Sequence, residues 1–195
     1  MNLSITTILI IITVAASLYA WNKPDLLQRW MFNPYAVRSR REYHRFITSG
    51  FIHQDYLRLF FIMYGVIFGD LGGVLYVAMY LIAIVVADFS TYTKLKNHPN
   101  YNSLGASGGV AAIVFSAILY DPTNDILLFA IIPIPGFMLG IFFLIYSYQR
   151  SKQTRDRINH DAHLWGALFG VAFTILLNPA VVPRFIQEIS NFRLF

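Results

Sequence analysis

Leu104-Gly105-Ala106-Ser107-Gly108-Gly109-Val110-Ala111-Ala112-Ile113-Val114-Phe115-Ser116-Ala117-Ile118-Leu119-Tyr120 is an uncharged run, rich in Gly and Ala, with a serine close to its beginning. It suits a helix crossing a membrane, whose hydrocarbon core of about 30 Å takes about 20 residues at 1.5 Å each. Four more stretches have the same character: Leu3–Ala20, Leu71–Ala87 ended by Asp88, Ile126–Tyr146, and Ala162–Leu177 stopped by Asn178-Pro179. Pro133, Pro135 and Gly136 interrupt the start of the third of these, breaks that neighbouring membrane helices tolerate. Leu59–Gly69, bounded by Arg58 and Asp70, is apolar but too short to cross.

Composition agrees with this reading. Of 195 residues 56% are hydrophobic and only 13% charged, against about a quarter charged in soluble domains. The absence of cysteine excludes disulfides and thiolate metal sites. The expectation is an all-α fold, a polytopic transmembrane helical bundle of five full spans plus one short apolar segment. It forms one domain over 1–195, with a first transmembrane helix at 1–20, an interfacial loop at 21–56, core helices at 57–178 and a C-terminal tail at 179–195. No basic residue precedes Leu3, so the first stretch reads as a retained helix rather than a signal peptide.

Trp21–Tyr56 carries Lys23, Arg29, Arg38, Arg40, Arg41 and Arg45, interleaved with Trp30, Phe32, Tyr35, Tyr43 and Phe46. Such a mixture suits the headgroup level, with membrane lipids as partners and nucleic acid excluded. The basic stretches at 21–56, 93–102 and 149–161 share one face if the short segment counts as a crossing, and charge alone makes that face cytoplasmic.

Two residues stand out for chemistry. Ser107 lies in Gly105-Ala106-Ser107-Gly108-Gly109, and His163 in Ala162-His163-Leu164-Trp165-Gly166. Each begins an apolar span, and one antiparallel span separates them, so both helices point the same way with Ser107 and His163 at similar depth. A serine hydroxyl becomes a useful nucleophile when a base accepts its proton. Gly166 and Gly170 share the face of His163 and would let the helices approach. The same glycines also fit plain membrane helix packing, and a histidine near a helix end also fits an interfacial role.

Asn102-Ser103-Leu104-Gly105-Ala106-Ser107-Gly108-Gly109 resembles the Gly-x-Ser-Gly motif of the rhomboid intramembrane serine proteases. The stretch from Asn159 through His163 and Gly166 to Gly170 resembles their Ala-His-x-x-Gly-x-x-x-Gly helix, and Arg45–His53 is similar to the lead into their second helix. The resemblance runs from about Tyr43 to Leu177. It implies cleavage of transmembrane-helix substrates by a Ser107–His163 dyad, without cofactor or metal, in a cell membrane of bacterial inner-membrane type. It also implies a site open to the extracytoplasmic face, against the charge count, with the basic loops pairing anionic headgroups. Gly105, Gly108 and His53 would support the oxyanion; alone, His53 could equally be interfacial.

Three departures accompany the resemblance. Arg58 and Ile62 stand where the family places a second histidine and an asparagine, as if about one helix length were missing near Leu57-Arg58. Ala111 stands where many relatives place an aromatic ring against the histidine, leaving His163 less firmly oriented. These departures support an alternative, a catalytically impaired rhomboid that binds transmembrane helices as chaperone or adaptor. A transporter or structural bundle is a third reading, for which the spans hold few charges. His160 and Asp161 read as capping or loop residues, with Asp161 suited to the helix start, and His44 and His98 as surface residues.

Overall fold

The computed structural model describes residues 5–53, 73–128, 131–152 and 159–193. The short apolar segment, Arg58 and Ile62 lie outside these residues. Among them the elements are α1 (Ile5–Trp21), α2 (Pro24–Trp30), α3 (Pro34–Arg40), α4 (Arg45–Thr48), a 3-10 turn (Ser49–Phe51), α5 (Gly73–Leu95), α6 (Ser107–Tyr120), β1 (Asp125–Leu128), β2 (Ile132–Pro135), α7 (Gly136–Ser151), α8 (His160–Leu177) and α9 (Val181–Asn191).

Helix α6 sits at the centre. None of its residues is exposed, and Gly108, Gly109, Ala111, Ala112, Ile113 and Phe115 are all buried. The outward faces of the surrounding helices are apolar instead: Ile11, Ile82, Phe142 and Leu168 are all exposed. That inside-out distribution fits a lipid solvent. Two helices are long and apolar enough to cross a membrane, Val74–Leu95 and His160–Leu177, while Thr7–Trp21 and Ser107–Tyr120 are shorter apolar helices. The five full spans expected from hydropathy are therefore not all present as full-length helices among the described residues.

Three stretches differ from the sequence reading. Helix α5 runs past Asp88 to Leu95, because Asp88 is buried and bonded rather than at the water boundary. The stretch expected to be helical from Ile126 begins instead as an antiparallel hairpin, with Asp125 opposite Pro135 and Leu128 opposite Ile132. Pro133 and Pro135 explain this: neither can donate a helical hydrogen bond, and each disfavours helix in the residue before it. The fold is mostly helical, as expected, with one small hairpin among the described residues. The tail at 179–195 contains a further amphipathic helix, α9, whose Val181 is buried and whose Ile186 is exposed.

The expected interfacial loop is a chain of short helices. Pro24 and Pro34 occupy first-turn positions, where a missing N–H costs nothing. Asn33 caps α3 by accepting from the Ala36 amide at 2.7 Å. Two of the basic and aromatic residues expected at the headgroup level are core instead. Phe32 is fully buried, and its backbone pairs with Ser103 at 2.8 and 3.0 Å. Arg45 is 7% exposed, donating to the carbonyls of Gln28 at 2.7 Å and Met31 at 2.6 Å and pairing with Glu42. The guanidinium fork satisfies several acceptors at once, which lets the cation lie inside.

Candidate active site

Ser107 and His163 reach the same end of the bundle through the packing of α6 on α8. A Cβ on Gly166 would overlap the backbone of Gly108, and one on Gly170 would overlap that of Ala112. One further turn along, the Thr174 hydroxyl donates to Ser116 at 2.7 Å. The partners step together, 108 with 166, 112 with 170, 116 with 174, so the helices run parallel in fixed register. Ser107 and His163 therefore lie within about one helical turn, 5.4 Å, of the same level.

Helix length creates a recess above this end. Gly108 packs on Ala87, eight residues before Leu95, so about 12 Å of α5 rises past the serine. This small recess is lined by Ser49, Asp88, Ser103, Gly105, Ser107 and Asn159, among others. It is polar at the start of an apolar helix, the setting a hydrolytic nucleophile needs.

The loop entering Ser107 is tied down from below. Gly105 has φ +114°, a region that suits glycine, and its amide donates to the Ser49 carbonyl at 2.9 Å. The Ala106 amide donates to His53 Nε2 at 3.1 Å. His53 is 2% exposed, and its Nδ1 lies 3.3 Å from the Ser17 hydroxyl. With Nε2 accepting, the proton resides on Nδ1 and Ser17 accepts it. His53 thus braces the Ser107 loop through α1. The first backbone bond back to the loop is Val110 N–H to Ala106 O, 2.8 Å, which leaves the Ser107, Gly108 and Gly109 amides at the helix start, where developing negative charge is stabilised.

His163 is partly buried, and its ring lies 5.8 Å from Phe143 in α7 and 5.6 Å from His160. The series continues to Tyr146 at 5.4 Å from His160 and to Phe115 at 5.6 Å from Phe143, all within aromatic packing range. Phe143 packs into the cluster around Ala111, so an aromatic ring from α7 occupies the side that Ala111 leaves open.

Neighbouring roles fall differently from the sequence reading. The α8 cap is Asn159, accepting from Ala162 N at 3.1 Å and bonded to Thr91, and Asp161 pairs with Lys94 instead. His160 is buried, not a loop residue; three positions before His163, it shares that residue's helix face. His44 and His98 are exposed. Tyr101, on the loop before Ser107, is pushed up to about 12 by burial, with the Asp88 and Asp161 carboxylates adding to the effect. Among the described residues, no cluster of three or more His, Cys, Asp or Glu could hold a metal. Asp88, Ser49, Asn159 and Phe143 were not singled out by sequence reasoning; the one available signal was a lone carboxylate, Asp88, inside an apolar run.

The family model of the Rhomboid domain matches residues 40–180. RHOMBOID-like protein 12, mitochondrial, of Arabidopsis thaliana is 27% identical over 168 residues, which cover 75% of this chain and 50% of that protein. The chain thus spans about half the length of this relative, and the relative's mitochondrial name lends no support to a bacterial inner membrane. Sequence and helical architecture together make the chain a member of the rhomboid family, whose proteins are embedded in membranes.

Proposed function

We propose that the chain is an intramembrane serine endopeptidase acting on membrane-anchored proteins through a Ser107–His163 dyad. The observation that carries this reading is the parallel contact of α6 and α8 at Gly108 and Gly166, which brings the serine and histidine ends of two helices together. Ser107 Oγ attacks the scissile carbonyl while His163 takes the hydroxyl proton. The amides at the start of α6 stabilise the tetrahedral oxyanion, and His163 returns its proton to the leaving amine. A water then attacks the acyl-serine ester, His163 again accepting a proton, and Ser107 is released. Catalytic hydrogen bonds such as that between Ser107 and His163 commonly tighten in the substrate complex. Substrates are transmembrane helices that unwind near the interface, because a stable helix buries its carbonyls in hydrogen bonds.

The second reading, an impaired relative that holds transmembrane helices without cutting them, is favoured by Arg58 and Ile62, which stand where the family has a histidine and an asparagine. Reconstitution separates the two. The full chain is incorporated in proteoliposomes with a tagged single-span substrate, beside Ser107→Ala and His163→Ala. Cleavage lost in both variants supports the protease; uncut substrate that co-purifies equally with all three proteins supports the adaptor.

A further inference from the structure

Asp88 is a carboxylate within the apolar helix α5, 9% exposed, and it forms part of the recess wall together with Ser107. Ser49 donates to its Oδ2 at 3.1 Å. Among the described residues that line the recess there is no lysine or arginine, and Lys94, further along the same helix, pairs with Asp161. An ionisable group inside a membrane protein is costly to keep and marks function more often than packing. A serine hydroxyl alone would be satisfied by a neutral acceptor, so the Ser49 bond does not account for a carboxylate.

The position suggests what does. Ser107 and Asp88 line the same recess, so a carbonyl attacked by Ser107 would bring the side chain one carbon away toward the Asp88 wall. The geometry points to Asp88 as a specificity-determining residue, selecting, for the residue that supplies the scissile carbonyl, a small side chain carrying a hydrogen-bond donor, amine before hydroxyl, over an apolar one of equal size. This rests on the proposed protease reading. The physical basis is asymmetric: a buried acceptor left without its donor is penalised, so a site built around one rejects the apolar isostere. A carboxyl group bonds an ammonium, with which it can form an ion pair, more strongly than a hydroxyl, and it disfavours acids.

Peptidyl diphenyl phosphonates test this, because their phosphorus takes the place of the scissile carbonyl and bonds to the nucleophilic serine with loss of phenol. Three are used, differing only in the adjoining side chain: ethyl, hydroxymethyl and aminomethyl. Modification of Ser107 in the full chain in detergent is followed by mass spectrometry, and each rate is divided by that of the ethyl compound on the same variant. The wild type should favour aminomethyl and hydroxymethyl by at least about tenfold. Asp88→Leu should bring both ratios to within about twofold, and Asp88→Asn should keep the hydroxymethyl preference while losing that for aminomethyl. Ratios near one in the wild type, or ratios unchanged in Asp88→Leu, overturn the assignment while leaving the protease reading standing. If a plain fluorophosphonate also fails to modify Ser107 in the wild type, both fall.

Discussion

Gly166 in α8 lies so close to the carbonyl of Gly108 in α6 that no Cβ fits on it. The contact is backbone on backbone, so nothing flexible can give way. Van der Waals packing of this kind is the main attraction available between helices in lipid, where no hydrophobic effect draws them together.

Gly166→Ala is therefore expected to separate the helices at the end that holds Ser107 and His163. The predicted cost is about 3 kcal/mol, the upper part of the range for overpacking a tight interior. Unfolding of the purified variant in detergent, followed by circular dichroism, measures it. A midpoint equal to that of the wild type contradicts the packing described.

The positions of Ser107, His163, Gly166 and Gly170 were readable in the sequence because small residues at helical spacing carry their own geometric meaning. The hairpin at 125–135 was not. Its residues are apolar enough to look like helix, and the decisive fact is local, the two prolines Pro133 and Pro135 within one strand. Asp88 was misread as a boundary because hydropathy cannot distinguish a carboxylate in water from one bonded to Ser49 in a recess. Arg45 was grouped with lipid-facing cations for the same reason: its carbonyl partners lie 14 and 17 residues away. Phe143 was passed over because its meeting with His163 depends on how α7 packs, which one helix's periodicity does not encode.

Arg45 gives the second prediction. Arg45→Met removes the bonds to Gln28 O, Met31 O and Glu42 together, all of them part-buried. A loss of about 3 kcal/mol is expected, as for other broken buried ionic networks. Arg45→Lys should recover less than half of it, since an ammonium cannot reproduce the guanidinium fork. The same unfolding measurement decides; full rescue by lysine would show that charge alone matters there.

His53 acts on the Ser107 loop through its bond to the Ala106 amide. His53→Ala should leave the helices folded and slow Ser107 modification by about 100-fold, the scale of a misplacement near 1 Å. Ser17→Ala, which removes the partner of Nδ1, should have the same direction and a smaller size. Rates with a fluorophosphonate report both, and an undiminished rate in His53→Ala would remove its bracing role.

Phe143 is predicted to orient the His163 ring. Phe143→Ala should lower the modification rate by about tenfold, within the range attributed to a positioned base. Phe143→Tyr, which keeps the ring, should retain most of the rate, and Phe143→Leu should not. Equal rates in all three would mean that His163 is held by His160 and the backbone alone.

The central claim is a hydroxyl activated by an imidazole across the α6–α8 contact. Its most direct measurement is the rate of covalent labelling by a fluorophosphonate, with the adduct located by mass spectrometry. The account predicts one adduct, on Ser107, absent in Ser107→Ala and slower by at least about 1000-fold in His163→Ala. Folded wild-type protein that stays unlabelled, or Ser107 labelling that persists undiminished without His163, would contradict it.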